Sequence, residues 1–195
     1  MAKGKVCIGY SRPWVAKYTV VNGTVTITDA MRMGRGVGVE INVEAIEGNV
    51  FRADDQDAEV APRWFKSGTG RYTIDGLKRE AAKLIYGNPD PDNDGWTHEG
   101  GDDAEQDYMA TGFLKTYMED GVITHQPVII WKQMFEPVGD SAQTMEETID
   151  WQTQDLESKI VRSDYSNHSW RWRGPDDITD EDQAEAMIKA KFNVA

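Results

Sequence analysis

Val37, Val39, Ile41 and Val43 alternate with Gly38, Glu40, Asn42 and Glu44. No other feature constrains the chain as strongly, because a period of two places apolar groups on one face of a strand and polar groups on the other. The stretch it opens, Val39 to Gly87, reads as strand, hairpin, strand and helix. Phe51-Arg52-Ala53 is extended, Asp54-Asp55-Gln56-Asp57 is a polar turn, and the chain returns through Glu59-Val60-Ala61 and Trp64-Phe65 to Arg71-Tyr72-Thr73-Ile74. Asp75 is placed to cap a helix. Leu77, Ala81, Leu84 and Ile85 then recur at i, i+4, i+7 and i+8 on one helical face, and Gly87 and Pro89 end it. A helix this short is stable only when docked on a sheet.

The rest of the chain repeats the strand signal. Lys5 to Tyr10 is a first strand, which Pro13 is expected to interrupt, and Cys7 within it is expected to be a small buried hydrophobe. Val15–Val21 and Thr24–Asp29 flank Asn22-Gly23, a strong hairpin signal. Met31 to Gly38 reads as a loop; Gly34-x-Gly36-x-Gly38 lacks the helix and the Lys-Ser/Thr pair of a phosphate cradle. Residues 88–107 carry eight carboxylates and no lysine or arginine. A long hairpin follows, Met109–Met118 and Val122–Phe135 around Glu119-Asp120-Gly121, with Pro127 limiting pairing locally. Thr144 to Val161 is expected as a strand with a bulge near Gln154-Asp155. Trp170-Arg171-Trp172-Arg173 reads as a strand with both tryptophans on one side, and Asp180 to Phe192 as a helix with Ala184, Met187, Ile188 and Lys191 as its stripe. The fold class expected is mainly β: a β-sandwich or barrel with one flanking α-helix, long hairpin arms and a C-terminal helical segment. The division expected is a body at 1–164, containing the acidic loop 88–107, and a C-terminal extension at 165–195.

Charge narrows the function. Twenty-one basic residues face 34 acidic ones, a net of −13. A conventional nucleic-acid binder needs a basic face to neutralise phosphates, so specific DNA binding is not expected. No run of eighteen apolar residues is present, so no membrane span is expected, and Met1-Ala2-Lys3-Gly4-Lys5 carries no apolar leader. Asp90, Asp92 and Asp94, with Gly95, match the first half of a calcium loop, but the acid required at its twelfth position falls on Gly101. His98, His125 and His168 lie in separate segments without zinc-site spacing. No catalytic residue, metal or cofactor is expected. The seven tryptophans leave a carbohydrate-binding β-sandwich module as one alternative, and the many carboxylates leave a calcium-dependent or carboxylate-based enzyme as another. Trp170 and Trp172, alternating with arginines, have the composition of a subunit contact.

The order of motifs resembles that of the major tail proteins of long, non-contractile-tailed bacteriophages. The residues concerned are Val39-Glu40-Ile41, Phe51-Arg52-Ala53-Asp54-Asp55, Phe65-Lys66-Ser67-Gly68-Thr69, Asp75-Gly76-Leu77 and the helix with Ala81-Ala82-Lys83-Leu84. Arg52 stands where that family usually has an aromatic residue. Thr144 to Thr153 and Leu156-Glu157-Ser158 resemble the family's closing strand, so the resemblance spans about Lys5 to Val161. It implies a virion tail-tube subunit with no catalytic residue, assembled in the host cytoplasm. Its partners would be further copies of itself in stacked hexameric rings, the tail-tip, terminator and tape-measure proteins, and DNA only in transit. On that reading the contact residues expected are Asn22, Gly23, Asp54, Asp55, Trp170 and Trp172. The acids expected to line the lumen are Glu40, Glu44, Glu146 and Asp150, since alternate strand residues face opposite sides.

Overall fold

The computed structural model describes residues 4–48, 50–53, 56–60, 64–137, 139, 144 and 151–194. In chain order the strands are β1 Val6–Val21, β2 Thr24–Arg32, β3 Gly36–Ala45, β4 Val50–Ala53, β5 Gln56–Val60 and β6 Phe65–Ile74. Helix α1, Arg79–Tyr86, precedes β7 Met109–Glu119, β8 Val122–Phe135, β9 Gln154–Ile160, β10 Arg171–Arg173 and helix α2 Glu181–Lys191. Two hairpins turn where Asn22-Gly23 and Asp120-Gly121 adopt positive φ at both central residues, 50° and 77° in one and 48° and 82° in the other. This matches the right-handed twist of the flanking strands.

Pro13 does not interrupt β1. Ser11 pairs with Leu114 and Trp14 with Gly112, so Arg12 and Pro13 together oppose Phe113. The bulge holds the residue without an N–H where the ladder requires none, and the strand continues. Pro127 lies within β8, opposite Leu114, and its carbonyl accepts from the Gly174 N–H just beyond β10. The bulge expected in β9 is absent: Gln154 to Ile160 pair with β6 in unbroken register, and 151–153 are not strand. Cys7 is exposed rather than buried, near the outer end of β1. Asp75 does not cap α1. It accepts from the backbone N–H of Arg35 at 2.6 Å and pairs with its guanidinium, while Lys78 occupies the cap position without a side-chain bond. Gly87 ends α1 in the left-handed conformation, as its position predicts.

Eight strands form one sheet in the order β2-β1-β7-β8-β9-β6-β3, with β10 joined to β8, and β4 pairs with β5 separately. Strand β8 shares one edge with β7, while its other edge takes β10 at residues 128–130 and β9 at residues 133–135. This change of partner curls the sheet. Tyr72 on β6 thereby reaches across to Thr111 on β7, 2.9 Å away, and Gln133 on β8, 2.9 Å away. Met33, Tyr72, Ile74, Phe113, Ile130, Phe135 and Leu156 fill the concave side, closed by Ala81 and Ile85 of α1. The convex side of β1, β7 and β8 carries a second core of Trp14, Tyr18, Leu114 and Trp131 under Ala184 and Ile188 of α2.

The expected sandwich or barrel with one flanking helix is therefore corrected to a single open sheet with two flanking helices. Among the described residues no ladder joins β2 to β3. The three-residue link between them inserts Met33 into the core, and its carbonyls at Met33 and Arg35 accept from Lys78 and Asp75. Its backbone groups are spent on the approach to α1, so the two end strands diverge instead of pairing.

Candidate functional site

The sheet ends in two long strands whose outer backbone groups have no ladder partner among the described residues. Such edges are templates for pairing with another chain unless they are blunted. On β3 the apolar positions do not stop at the core: Val39 and Ile41 pack inward, while Val37 and Val43 are 57% and 48% exposed. The hairpin tips are apolar too. Val6 pairs with Met118, and Met118 with Ile123, making an exposed row across β1, β7 and β8, with Val122 and Ile8 exposed beside it. Val20 and Val21 are exposed at the Asn22-Gly23 tip. Asn22 and Gly23 form the turn of that tip. Asp54 and Asp55 lie outside the described residues.

The outer face of β3, β6 and β9 is not covered by either helix. Glu40 and Glu44 stand on it, both exposed. Glu40 is opposite Arg71, and Glu44 accepts from Ser67 and lies 3.5 Å from Lys66. Beside them Asp155 pairs with Arg71; that bond and one from Thr73 hold its carboxyl below the usual range. Glu157 and Lys159 complete the face. Alternation thus brings Glu40 and Glu44 together on one polar sheet surface, with cations interleaved. Glu146 and Asp150 lie outside the described residues.

The acidic loop packs back on α1. Arg79 donates to the Gly95 carbonyl and to Thr97 Oγ1, Lys83 pairs with Asp90, and Lys17 of β1 pairs with Asp107. Asp92 Oδ1 accepts from the N–H groups of Asp94 and Trp96, and Oδ2 lies 3.0 Å from His98 Nε2. His98 and those N–H groups hold the Asp92 carboxyl below its usual value. Asp90 thus faces Lys83 and Asp92 faces His98 instead of one shared centre, and among the described residues no three acids, histidines or cysteines are grouped to hold a metal. A cleft of about 650 Å³ separates the loop from α1 and β2. Its two ion pairs, Lys83–Asp90 and Lys17–Asp107, neutralise charge across it.

Trp170 and Trp172 do not share a face. Trp170 precedes β10 and stacks on Phe65, centroids 4.9 Å apart, against the concave core. Trp172 packs edge-on to Trp131 at 4.7 Å on the convex side. Both are half-buried within their own chain. Exposed rings remain at Trp64, Trp96 and Trp151, and among the described residues none of them stacks on another ring to make a sugar platform. Residues 165–194 supply Trp172, Ile178, Ala184, Ile188 and Phe192 to the convex core, so the chain after 164 completes the body.

The sequence reading missed what fastens α2. Its buried face is Ala184, Glu185 and Ile188, rotated from the expected stripe, and Met187 is exposed. Glu185 accepts from Trp14 Nε1 at 2.8 Å, from Arg32 Nε at 2.9 Å and from Arg12. Burial works against the charged form, but the bonds from Arg32, Trp14 and Arg12 outweigh it and leave the carboxyl below its usual value. The one signal available was an acid inside the apolar stripe of a capped helix.

No protein-family model matches this chain, and no curated protein is significantly similar to it. No described helix is long and apolar enough to cross a membrane.

Proposed function

We propose that this chain is a structural subunit that polymerises through its sheet edges, as a tail-tube protein of a long-tailed bacteriophage does. The observation that carries the reading is the open sheet whose end strands, β2 and β3, each have one edge without a ladder partner among the described residues. Joining the β2 edge of one copy to the β3 edge of the next is a heterologous contact, and such contacts generate rings when the rotation closes. The family resemblance supplies the hexameric ring and the stacked conduit. The uncovered outer face of β3, β6 and β9, bearing Glu40 and Glu44, then becomes the inner wall, and its acids oppose adhesion of DNA phosphates. Exposed apolar hairpin tips at Val20–Val21 and at Met118–Ile123 provide contacts between neighbours.

Negative-stain electron microscopy of the purified protein, with Val37→Lys/Val43→Lys beside it, tests the reading. Rings or tubes are expected from the wild type. The double variant should stay folded, because both side chains are exposed and such substitutions change stability by roughly 0.5 kcal/mol or less each. It should lose ring formation, since lysine on an edge blocks pairing. A strictly monomeric wild type at high concentration overturns the proposal.

A further inference from the structure

On a chain with a net charge of −13, three cations gather with no carboxylate partner among the described residues. Lys115 of β7 and Arg171 and Arg173 of β10 line a cavity of about 220 Å³ floored by Val39, Phe113 and Val128. The register explains the grouping: Arg171 is opposite Ile130, Arg173 is opposite Val128, and Val128 is opposite Phe113, so all project from the concave side just past its apolar core. Arg171 lies over the Trp170 ring at 4.4 Å. No carboxylate lines the cavity, and no described acid pairs with any of the three. Burial and the neighbouring Arg173 both disfavour the charged form of Arg171. A cationic pocket walled by apolar groups concentrates potential for an oxyanion.

Carboxylates that could match it lie toward the start of the same strand. The loop 88–107 is tied to the sheet by the Lys17–Asp107 pair, and Lys17 is opposite Met109, whereas Tyr10 is opposite Lys115. Six positions along β7 separate the two sites, about 20 Å at roughly 3.4 Å per residue. Within the loop, Asp94, Glu99, Asp102 and Asp103 form no ion pair among the described residues. The loop thus presents unpaired carboxylates at one end of β7, and the cationic pocket lies part-way along the strand on its concave side.

We infer that Lys115, Arg171 and Arg173 receive carboxylates from the 88–107 loop of a second copy, in a head-to-tail contact along β7. The inference rests on the proposed self-association and gives it a polarity: the acidic loop of one copy reaches the concave side of the next. Two experiments on the full-length protein decide it. In the first, an equal mixture of ¹⁴N- and ¹⁵N-labelled protein is treated with a zero-length carbodiimide crosslinker and digested for mass spectrometry. Mixed-isotope crosslinks between Lys115 and the 88–107 segment are expected. If oligomers form and crosslinks join other segments but not this pair, the contact is wrong while self-association stands. If neither oligomers nor mixed-isotope crosslinks form, both fall.

The second experiment is a charge swap. Lys115→Glu/Arg173→Glu and Asp102→Lys/Asp103→Lys should each fail to form stacks by sedimentation velocity. Their equimolar mixture should restore stacking, because each altered site then meets its complement. Normal stacks from either variant alone, or no restoration in the mixture, would overturn the inference. Circular dichroism of each variant separates loss of contact from loss of fold.

Discussion

Glu185 is the position where a single substitution should reveal how the C-terminal segment is held. Its side chain is 5% exposed, against 20% for Arg12 and 38% for Arg32. In Glu185→Ala, the buried Trp14 N–H loses its acceptor, which costs about 1–3 kcal/mol. Arg32 loses its carboxylate but is exposed enough to regain water. Arg12 keeps Glu181 and Asp182. Removing one partner of a fully buried ion pair costs about 3–5 kcal/mol, and the partial exposure of both guanidinium groups places this case at the lower end, about 3 kcal/mol. At this chain length each kcal/mol shifts Tm by about 2–4 °C, so a fall of about 6–12 °C is expected in a thermal melt followed by near-ultraviolet circular dichroism. Glu185→Gln keeps an acceptor for Trp14 and loses only the charge, so its cost should be about half as large. The dependence on pH has a fixed sign. A carboxyl held below its usual value stabilises the fold fully above the unfolded value of about 4.3 and loses that contribution as pH falls through the folded value. The gap between wild type and Glu185→Gln should therefore close in acid. A Glu185→Ala protein within about 0.5 kcal/mol of wild type, the range of ordinary surface changes, would refute the argument that this cluster fastens α2.

Gly112→Ala should destabilise by about 1–3 kcal/mol, because a Cβ there would lie 2.4 Å from Ile188 Cγ2 and 3.3 Å from the Phe192 ring; chemical denaturation measures it. Gln133→Leu should cost about 2–4 kcal/mol by the same assay, since Tyr72, Ser158 and Thr111 all lose a buried partner. Glu40→Lys/Glu44→Lys should leave assemblies intact while making them retain added duplex DNA at low salt and release it as salt rises, read by co-sedimentation.

Periodicity and turn chemistry made much of the local structure legible. The alternation at Val37 to Val43, the Asn-Gly and Asp-Gly turns and the Gly87 stop each depend on a residue and its immediate neighbours, so they read directly from sequence. The Pro13 break, the Asp75 cap and the α2 stripe were misread for a common reason. Pro13 is accommodated by the two-against-one register with Phe113, Asp75 is drawn away by Arg35, and α2 is rotated by the pull of Trp14, Arg12 and Arg32 on Glu185. Each competing partner is distant along the chain, and local propensity yields to such contacts. The exposed acids Glu40 and Glu44 were placed on one face by alternation alone, but nothing local to them said that no helix covers that face. Whether the sheet closed was equally illegible. That depended on β8 changing partners between β10 and β9 and on the 33–35 link giving its carbonyls to α1. Sequence by itself determined strands, turns and which residues alternate, because these follow from bonds between near neighbours. Tertiary structure alone decided the open edges, the α2 clamp and the meeting of Lys115 with Arg171 and Arg173, because each needs segments brought together only when the sheet curls.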